Sequence, residues 1–280
     1  MIEKILISLQ YLIPQHILSR MIGFFANCRW VWLKNLMIAW FIKCYQVDMS
    51  IAEKDKISDY ATFNEFFIRK LQPSVRPVAT ASGIIISPVD GRISQIGDIM
   101  QEDLIQAKGS YYSLETLLGG AKLGQKFQNG KFITLYLSPK DYHRVHMPLT
   151  GKLLEMTYVP GSLFSVNPAT TSHIPGLFTK NERIICVFET PIGYMAVIMV
   201  GAMLVASINT VWAGKVTPNK DKSIKSNSYK DIELGGGEEM GYFAMGSTVI
   251  VLFEPKRMHW DAELTIDYTV QLGQKIATFD

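Results

Sequence analysis

The sequence predicts an α+β protein: a mainly antiparallel β sandwich or barrel over residues 81–280, preceded by an N-terminal helical segment over 1–80 that associates with a membrane surface. Three observations lead there. From about residue 81 onward, short runs of β-branched and aromatic residues alternate with Gly, Pro, Asn and Asp, the texture of strands joined by tight turns. Before that point apolar residues recur at helical spacing and tryptophan is concentrated. No strand–helix–strand rhythm runs through the chain, which excludes a doubly wound parallel sheet.

Composition narrows the class. Hydrophobic residues make up 48% of the 280, and mean hydropathy is +0.13. That is high for a freely soluble protein and low for a multi-span membrane protein, so an interfacial protein is expected. The net charge of +3 is too mild for nucleic acid, which calls for a concentrated basic stripe. Cys28, Cys44 and Cys186 are odd in number and lack metal-ligand spacing. They read as reduced, which favours the cytoplasmic side. The N-terminus has no small-residue cleavage site and is expected to be retained.

Ile2, Ile5, Leu6, Leu9, Leu12 and Ile13 share one helical face, and Pro14 ends the pattern. From Ile17 to Tyr45 the chain is rich in Phe, Trp, Leu and Ile. Arg20, Arg29, Lys34 and Lys43 break each run before it reaches the roughly 18 apolar residues of a membrane span. Trp30, Trp32 and Trp40, with Phe24, Phe25 and Phe41, are residue types that settle at the headgroup boundary, and the basic residues suit anionic lipid. Met1 to Val47 holds five Lys or Arg, Lys4 among them, against Glu3 alone. The expectation is peripheral docking on the cytoplasmic face of the cell membrane. Thr62-Phe63-Asn64-Glu65 has capping-box spacing, and Phe63, Phe66 and Phe67 fall on one side of the helix it starts. Pro73 and Pro77 mark the boundary near residue 80.

Beyond it, strands are predicted at Gly83–Ile86, Arg92–Ile96, Phe132–Leu137, Lys152–Tyr158, Arg183–Glu189, Tyr194–Val200 and Thr248–Phe253. Lys215–Lys230 is polar and lysine-rich and reads as a mobile loop. Gly235-Gly236-Gly237 reads as a flexible turn.

The chemistry concentrates at Met245-Gly246-Ser247-Thr248. The Ser247 hydroxyl can attack the Gly246 carbonyl through a five-membered ring and turn the peptide bond into an ester. Glycine leaves that carbonyl open and tolerates the strained backbone required. β-Elimination of the ester frees the upstream chain and leaves a dehydroalanine, which hydrolyses to a pyruvoyl group and ammonia. The step needs a base, and a base needs an orienting partner. Ser87-Pro88-Val89-Asp90-Gly91-Arg92 sets a carboxylate at a turn, and Tyr142-His143-Arg144-Val145-His146-Met147-Pro148 sets two histidines three residues apart. In an extended segment such residues face opposite sides, so the two imidazoles can serve different tasks. In chain order Asp90, His146 and Ser247 supply a triad: the carboxylate orients the imidazole, which removes the serine proton. A zinc site here lacks further ligands at useful spacing. His173 and His259 stand alone.

With these motifs the chain resembles the phosphatidylserine decarboxylases of prokaryotic type, which are made as proenzymes. The resemblance runs nearly end to end and includes Phe63 to Arg69, Ser87 to Arg92, Tyr142 to Pro148, Gly161-Ser162-Leu163-Phe164-Ser165-Val166-Asn167, Asn181-Glu182-Arg183 and Gly246 to Val249. It implies cleavage between Gly246 and Ser247 into a β subunit (1–246) and an α subunit (247–280), held as a heterodimer. Pairing of such heterodimers is left open. It implies that Asp90, His146 and Ser247 form the self-cleavage triad, that Ser247 becomes a covalent pyruvoyl group, and that His143 acts as a proton donor in decarboxylation. The ketone takes up the amine of a phosphatidylserine headgroup and accepts the electrons released as carbon dioxide leaves, giving phosphatidylethanolamine with no metal and no pyridoxal phosphate. Leu163, Phe164 and Val166 are expected to line the lipid's path. Two positions depart from the family's usual pattern: Met245 stands where leucine is common, and Gly237 where many members carry lysine.

Two rivals follow from the residues alone. One is a serine hydrolase using Asp90, His146 and Ser247 as a standing triad, although no G-x-S-x-G elbow surrounds Ser247. The other is a non-enzymatic membrane-surface module, which leaves the histidine pair and the Gly-Ser junction unexplained.

Overall fold

The structure, a computed structural model, describes residue 7 and residues 10–79, 81–107, 110–203, 207–218, 222–244, 247–255 and 258–279. Most of the predicted first helix, together with Lys4, lies outside them. Helix α1 (Gln15–Ala26) starts directly after Pro14, as the proline requires, and α2 (Val31–Tyr45) follows a short break. Helix α3 (Phe63–Phe67) is capped as the sequence predicts: the Thr62 hydroxyl accepts from the Glu65 N–H at 3.0 Å. The Glu65 carboxylate reaches back one residue further than a standard capping box, to the Ala61 N–H at 2.7 Å. Phe63, Phe66 and Phe67 then pack edge-on around Phe41 of α2, with Ala26, Ile38 and Tyr60 completing a cluster of their own.

The strands follow in the order β1 (Ile84–Ile86), β2 (Gly91–Asp98), β3 (Asp103–Ala107), β4 (Ser110–Ser113), β5 (Lys131–Leu137), β6 (Arg144–His146), β7 (Gly151–Val159), β8 (Arg183–Thr190) and β9 (Gly193–Val200). After these come β10 (Ser207–Thr210), β11 (Gly214–Lys215), β12 (Lys225–Ser228), β13 (Glu233–Leu234), β14 (Glu239–Ala244), β15 (Ser247–Phe253), β16 (His259–Trp260), β17 (Thr269–Val270) and β18 (Lys275–Thr278). Each predicted strand is present, within one or two residues of its expected ends.

The main sheet runs β12-β7-β8-β9-β15-β5-β2-β17, with β13 also on β7, and every pairing in it is antiparallel. It is open at both edges, so the barrel alternative is corrected: β12 and β17 do not pair with each other. A second sheet, β11-β10-β14-β6, and a third, β1-β18-β16, cover one face. Ile133, Leu135, Leu137, Val249, Val251 and Phe253 point that way, meeting Val145, Ile208, Met240, Phe243 and Ile276. Phe132, Ile250, Leu252, Ile198 and Val200 point the other way, under short helices at Leu114–Leu118 and Leu177–Lys180. A sheet covered on both faces reads as unbroken apolar runs, and that explains the Thr248-Val249-Ile250-Val251-Leu252-Phe253 sequence of β15.

The Lys215–Lys230 stretch also differs from expectation. Lys225–Ser228 forms edge strand β12, paired with Glu155–Tyr158 of β7, because backbone hydrogen bonds to a sheet edge do not require apolar side chains. Lys215 ends β11, and the other described residues of that stretch are irregular coil and bends.

Candidate active site

Ser247 opens β15 and lies across from Leu137 of β5. Residues directly opposite in an antiparallel pair share a face, and Leu137 belongs to the core between the large sheet and the four-stranded sheet. Ser247 therefore points into that space. It is fully buried, and its Oγ has no hydrogen-bond partner among the described residues. A buried polar group left unpaired costs about 1–3 kcal/mol, and such groups call for a functional explanation. Gly246 and Met245 lie outside the described residues.

His143 comes from the segment that leaves β5 and approaches β6. It is fully buried against the Phe67 ring, with centroids 4.2 Å apart. Its backbone carbonyl accepts from the Phe243 N–H at 3.0 Å, which binds the segment to the strand leading into Ser247. Its Nδ1 lies 2.8 Å from the Asp141 carbonyl oxygen. A carbonyl only accepts, so Nδ1 carries the proton and Nε2 keeps its lone pair. That Nε2 is buried with no partner among the described residues. Burial, aided by the nearby Arg69 guanidinium and opposed by the Asp141 bond, pushes the imidazole pKa down to about 3. Arg69 donates from Nη2 to the Lys140 carbonyl at 2.8 Å, while Nε and Nη1 have no partner among the described residues.

His146 sits in different surroundings, as the three-residue spacing predicts. Its Nδ1 donates to the Gly237 carbonyl at 2.9 Å, and its Nε2 faces the Tyr142 hydroxyl at 3.3 Å. Burial lowers its pKa as well. Gly237 has φ +84°, and a Cβ there would come within 2.9 Å of the Val78 side chain, so glycine at this departure from the family pattern has a steric cause. Asp90 is held on the neighbouring segment, where the His146 N–H donates to Pro88 O at 2.9 Å. Its carboxylate is gripped by Arg76, with Nε to Oδ1 at 2.8 Å and Nη2 to Oδ2 at 2.7 Å, and accepts the Leu272 N–H at 2.8 Å.

The fold thus brings Asp90 and His146 onto adjacent segments, yet no hydrogen bond joins Asp90 to His146 or either to Ser247 among the described residues. Of Asp90, His143, His146 and Ser247, the atoms left without a hydrogen-bond partner among the described residues are Ser247 Oγ and His143 Nε2. Sequence reasoning missed Arg76, which sits between two prolines in a linker with nothing to connect it to Asp90. Leu163, Phe164 and Val166 are all buried. Phe164 and Val166 pack in the core on the opposite face from the Ser247 side chain, and Val166 also lines a cleft of about 630 Å³ with Tyr136 and Arg92. The described residues contain no group of three or more metal-ligating side chains.

Two consequences can be measured. The Arg76–Asp90 pair has side chains only 14% and 10% exposed, so removing one partner strands a buried charge. Arg76→Leu is expected to destabilise the uncut chain by about 3–5 kcal/mol, read by chemical denaturation; a loss under about 1 kcal/mol would show a surface-like pair. The second concerns acid. Below the ordinary histidine value of about 6.5 the unfolded chain binds protons that folded His143 refuses, so stability falls as pH drops from there toward 3. Lowering pH from 7 to 5 should cost the uncut Ser247→Ala chain about 2 kcal/mol from His143, since each pKa unit is worth about 1.4 kcal/mol. Adding His143→Gln should remove that part; an unchanged loss would place the titration elsewhere.

A family model described as phosphatidylserine decarboxylase matches residues 63–278, and a second, described as PSD, matches residues 5–46. The chain is 53% identical over 278 residues to the phosphatidylserine decarboxylase proenzyme of Ectopseudomonas mendocina, covering 97% of each chain. It is 50% identical over 278 residues to the proenzyme of Pseudomonas fluorescens, covering 97% of this chain and 96% of that one. It is also 50% identical over 281 residues to that of Pseudomonas aeruginosa, covering 98% and 97%.

Proposed function

The chain belongs to the phosphatidylserine decarboxylase family, and from that membership we propose that it cuts itself between Gly246 and Ser247 and then converts phosphatidylserine to phosphatidylethanolamine and carbon dioxide. The observation that carries the self-cleavage reading is the buried, unpartnered hydroxyl of Ser247 at the head of a central strand. A standing hydrolase serine would have to face its substrate, and this one is sealed in the core. Conversion of Ser247 to a pyruvoyl group would supply a carbonyl electron sink for the headgroup amine, and the full burial of Ser247 suits a group that must be kept from bulk water.

Cleavage would not release the α subunit. Every residue of β15 is buried between β5 and β9, and each of its Val, Ile, Leu and Phe side chains contributes about 1.5–3 kcal/mol of burial. The products stay together as a heterodimer.

For the base, the triad of Asp90, His146 and Ser247 remains the first reading. Arg76 and the Leu272 N–H fix the carboxylate, and its negative charge favours protonated His146. To reach Ser247, His146 must give up the long contact to Tyr142. The unpartnered Nε2 of His143 favours a second reading, in which His143 takes the serine proton and returns it to the departing amide nitrogen. As a donor during decarboxylation His143 must first gain a proton at Nε2, which burial opposes, so the proton-accepting role is the better supported.

The N-terminal helices would dock the enzyme on lipid. No helix among the described residues is long and apolar enough to cross a membrane. On α2, Lys34, Ile38 and Phe41 face the protein, while Trp32, Leu36 and Trp40 form an exposed stripe on the other side. Lys34 spends its charge on Asn35 and the Ile57 carbonyl and is not a lipid contact. Arg20, Arg29 and Lys43 are exposed and carry the basic part of that role. Replacing Trp32, Leu36 and Trp40 together by Ser should weaken binding to anionic vesicles about tenfold or more, and unchanged co-sedimentation would return the stripe to another purpose.

The deciding experiment on the function is an intact mass spectrum of the purified wild-type protein. Two species are expected, the C-terminal one beginning at position 247 and carrying a pyruvoyl group. A single unmodified chain with decarboxylase activity would overturn the reading.

A further inference from the structure

A cleft of about 730 Å³ lies between α1 and the outer surface of the four-stranded sheet, and Ser247 is not among the residues that line it. Its lining is split by chemistry. Phe24 and Trp30, both largely exposed, form an apolar wall with Leu33 of α2 beside them. The Ser19 hydroxyl and the Asn64 Oδ1 behind it are buried without hydrogen-bond partners among the described residues. Arg20 and Lys215 bring positive charge, and both are exposed. The floor is made by Ser207 of β10 and Tyr242 of β14. Ser207 pairs with Ala244, the last described residue before the cleavage junction. Tyr242 lies under the Arg144 guanidinium, next in sequence to His143.

An apolar wall, two cations and two unsatisfied buried polar atoms in one cleft ask for a ligand that is itself divided in this way. Resting on the decarboxylase reading, we propose that this cleft receives one phosphatidylserine molecule as it leaves the bilayer. The phosphate lies within reach of Arg20 and Lys215, and the upper acyl chains lie against Phe24 and Trp30. The size suits this, since drug-sized ligands occupy pockets of roughly 300–1,000 Å³. The volume would hold a headgroup and glycerol with the start of the chains, leaving the rest of the acyl chains in lipid. The β10–β14 floor then leads toward Ser247.

The test uses full-length matured enzyme acting on phosphatidylserine in neutral-detergent mixed micelles. Gly23→Leu places a side chain in the cleft without changing charge, at a helical position where leucine is a better helix former than glycine. Lys215→Glu reverses a charge of the cleft at a residue outside the basic set that docks on lipid. Each should raise KM for phosphatidylserine about tenfold, the factor expected from one lost charge-assisted contact or an obstructed pocket. Both should leave kcat within about twofold and the cleavage at Ser247 complete by mass. Glycerophosphoserine, which has no acyl chains, should be affected by the charge reversal and much less by Gly23→Leu. Independently of any variant, phosphatidylethanolamine carrying a diazirine near the top of an acyl chain should label wild-type peptides containing Phe24 and Trp30. Unchanged KM in both variants, or labelling confined to other peptides, overturns the proposal. Wild-type enzyme that is cut but does not decarboxylate phosphatidylserine would instead overturn the function on which the proposal rests, while the labelling would still report on the cleft.

Discussion

Ser247→Ala is expected to yield a single uncut chain with decarboxylase activity at least about a thousandfold below wild type, the scale of loss when the group that performs the chemistry is deleted. The two losses must occur together, because one hydroxyl is both the nucleophile for cleavage and the source of the carbonyl. The structure adds a stability expectation. Ser247 Oγ is buried and unpaired, so alanine removes a desolvated hydroxyl at no cost in hydrogen bonds. The uncut Ser247→Ala chain should therefore be about 1–3 kcal/mol more stable than an uncut chain that retains the serine, such as an uncleaved Asp90→Asn variant corrected for its own effect. Mass spectrometry and a decarboxylation assay decide the first point, and denaturant midpoints the second. A cut Ser247→Ala chain would remove Ser247 from the mechanism.

The histidines should separate by environment. His146→Ala and Asp90→Asn are each expected to leave the chain uncut over times in which wild type is fully processed. His143→Ala is expected to slow cleavage about 10²–10⁴-fold, the usual contribution of a positioned general base, because its Nε2 is the buried imidazole nitrogen without a partner. Cleavage is followed on denaturing gels from the moment of synthesis. Normal cleavage of His143→Ala with lost decarboxylation would confine that residue to the second reaction. Normal cleavage of His146→Ala would remove it from the triad and leave it as the group that ties Gly237 to Tyr142.

Much of the fold was legible because its signals are local. The strand runs, the α3 cap and the proline before α1 all depend on residues within a few positions of one another. The fully buried β15 announced itself by an unbroken apolar run. Less legible were β6, β10 and β14, which are short and carry Arg, His, Asn and Gly at positions where partners from distant strands decide the pairing. Lys225–Ser228 has no apolar pattern at all, and only the free edge of β7 makes it a strand.

For the site, the sequence by itself determined which bond can break and which residue types could assist: a Gly-Ser junction, two histidines at three-residue spacing and an aspartate in a turn. These are covalent facts and near-neighbour patterns, so the chain order contains them. Only the tertiary structure decided which polar atom meets which. It gave Asp90 to Arg76 and the Leu272 N–H, gave His146 to Gly237 and Tyr142, and left His143 Nε2 and Ser247 Oγ without partners. A buried donor or acceptor takes whichever complementary group the packed core delivers within about 3 Å, and that delivery depends on strand register and loop path rather than on distance along the chain.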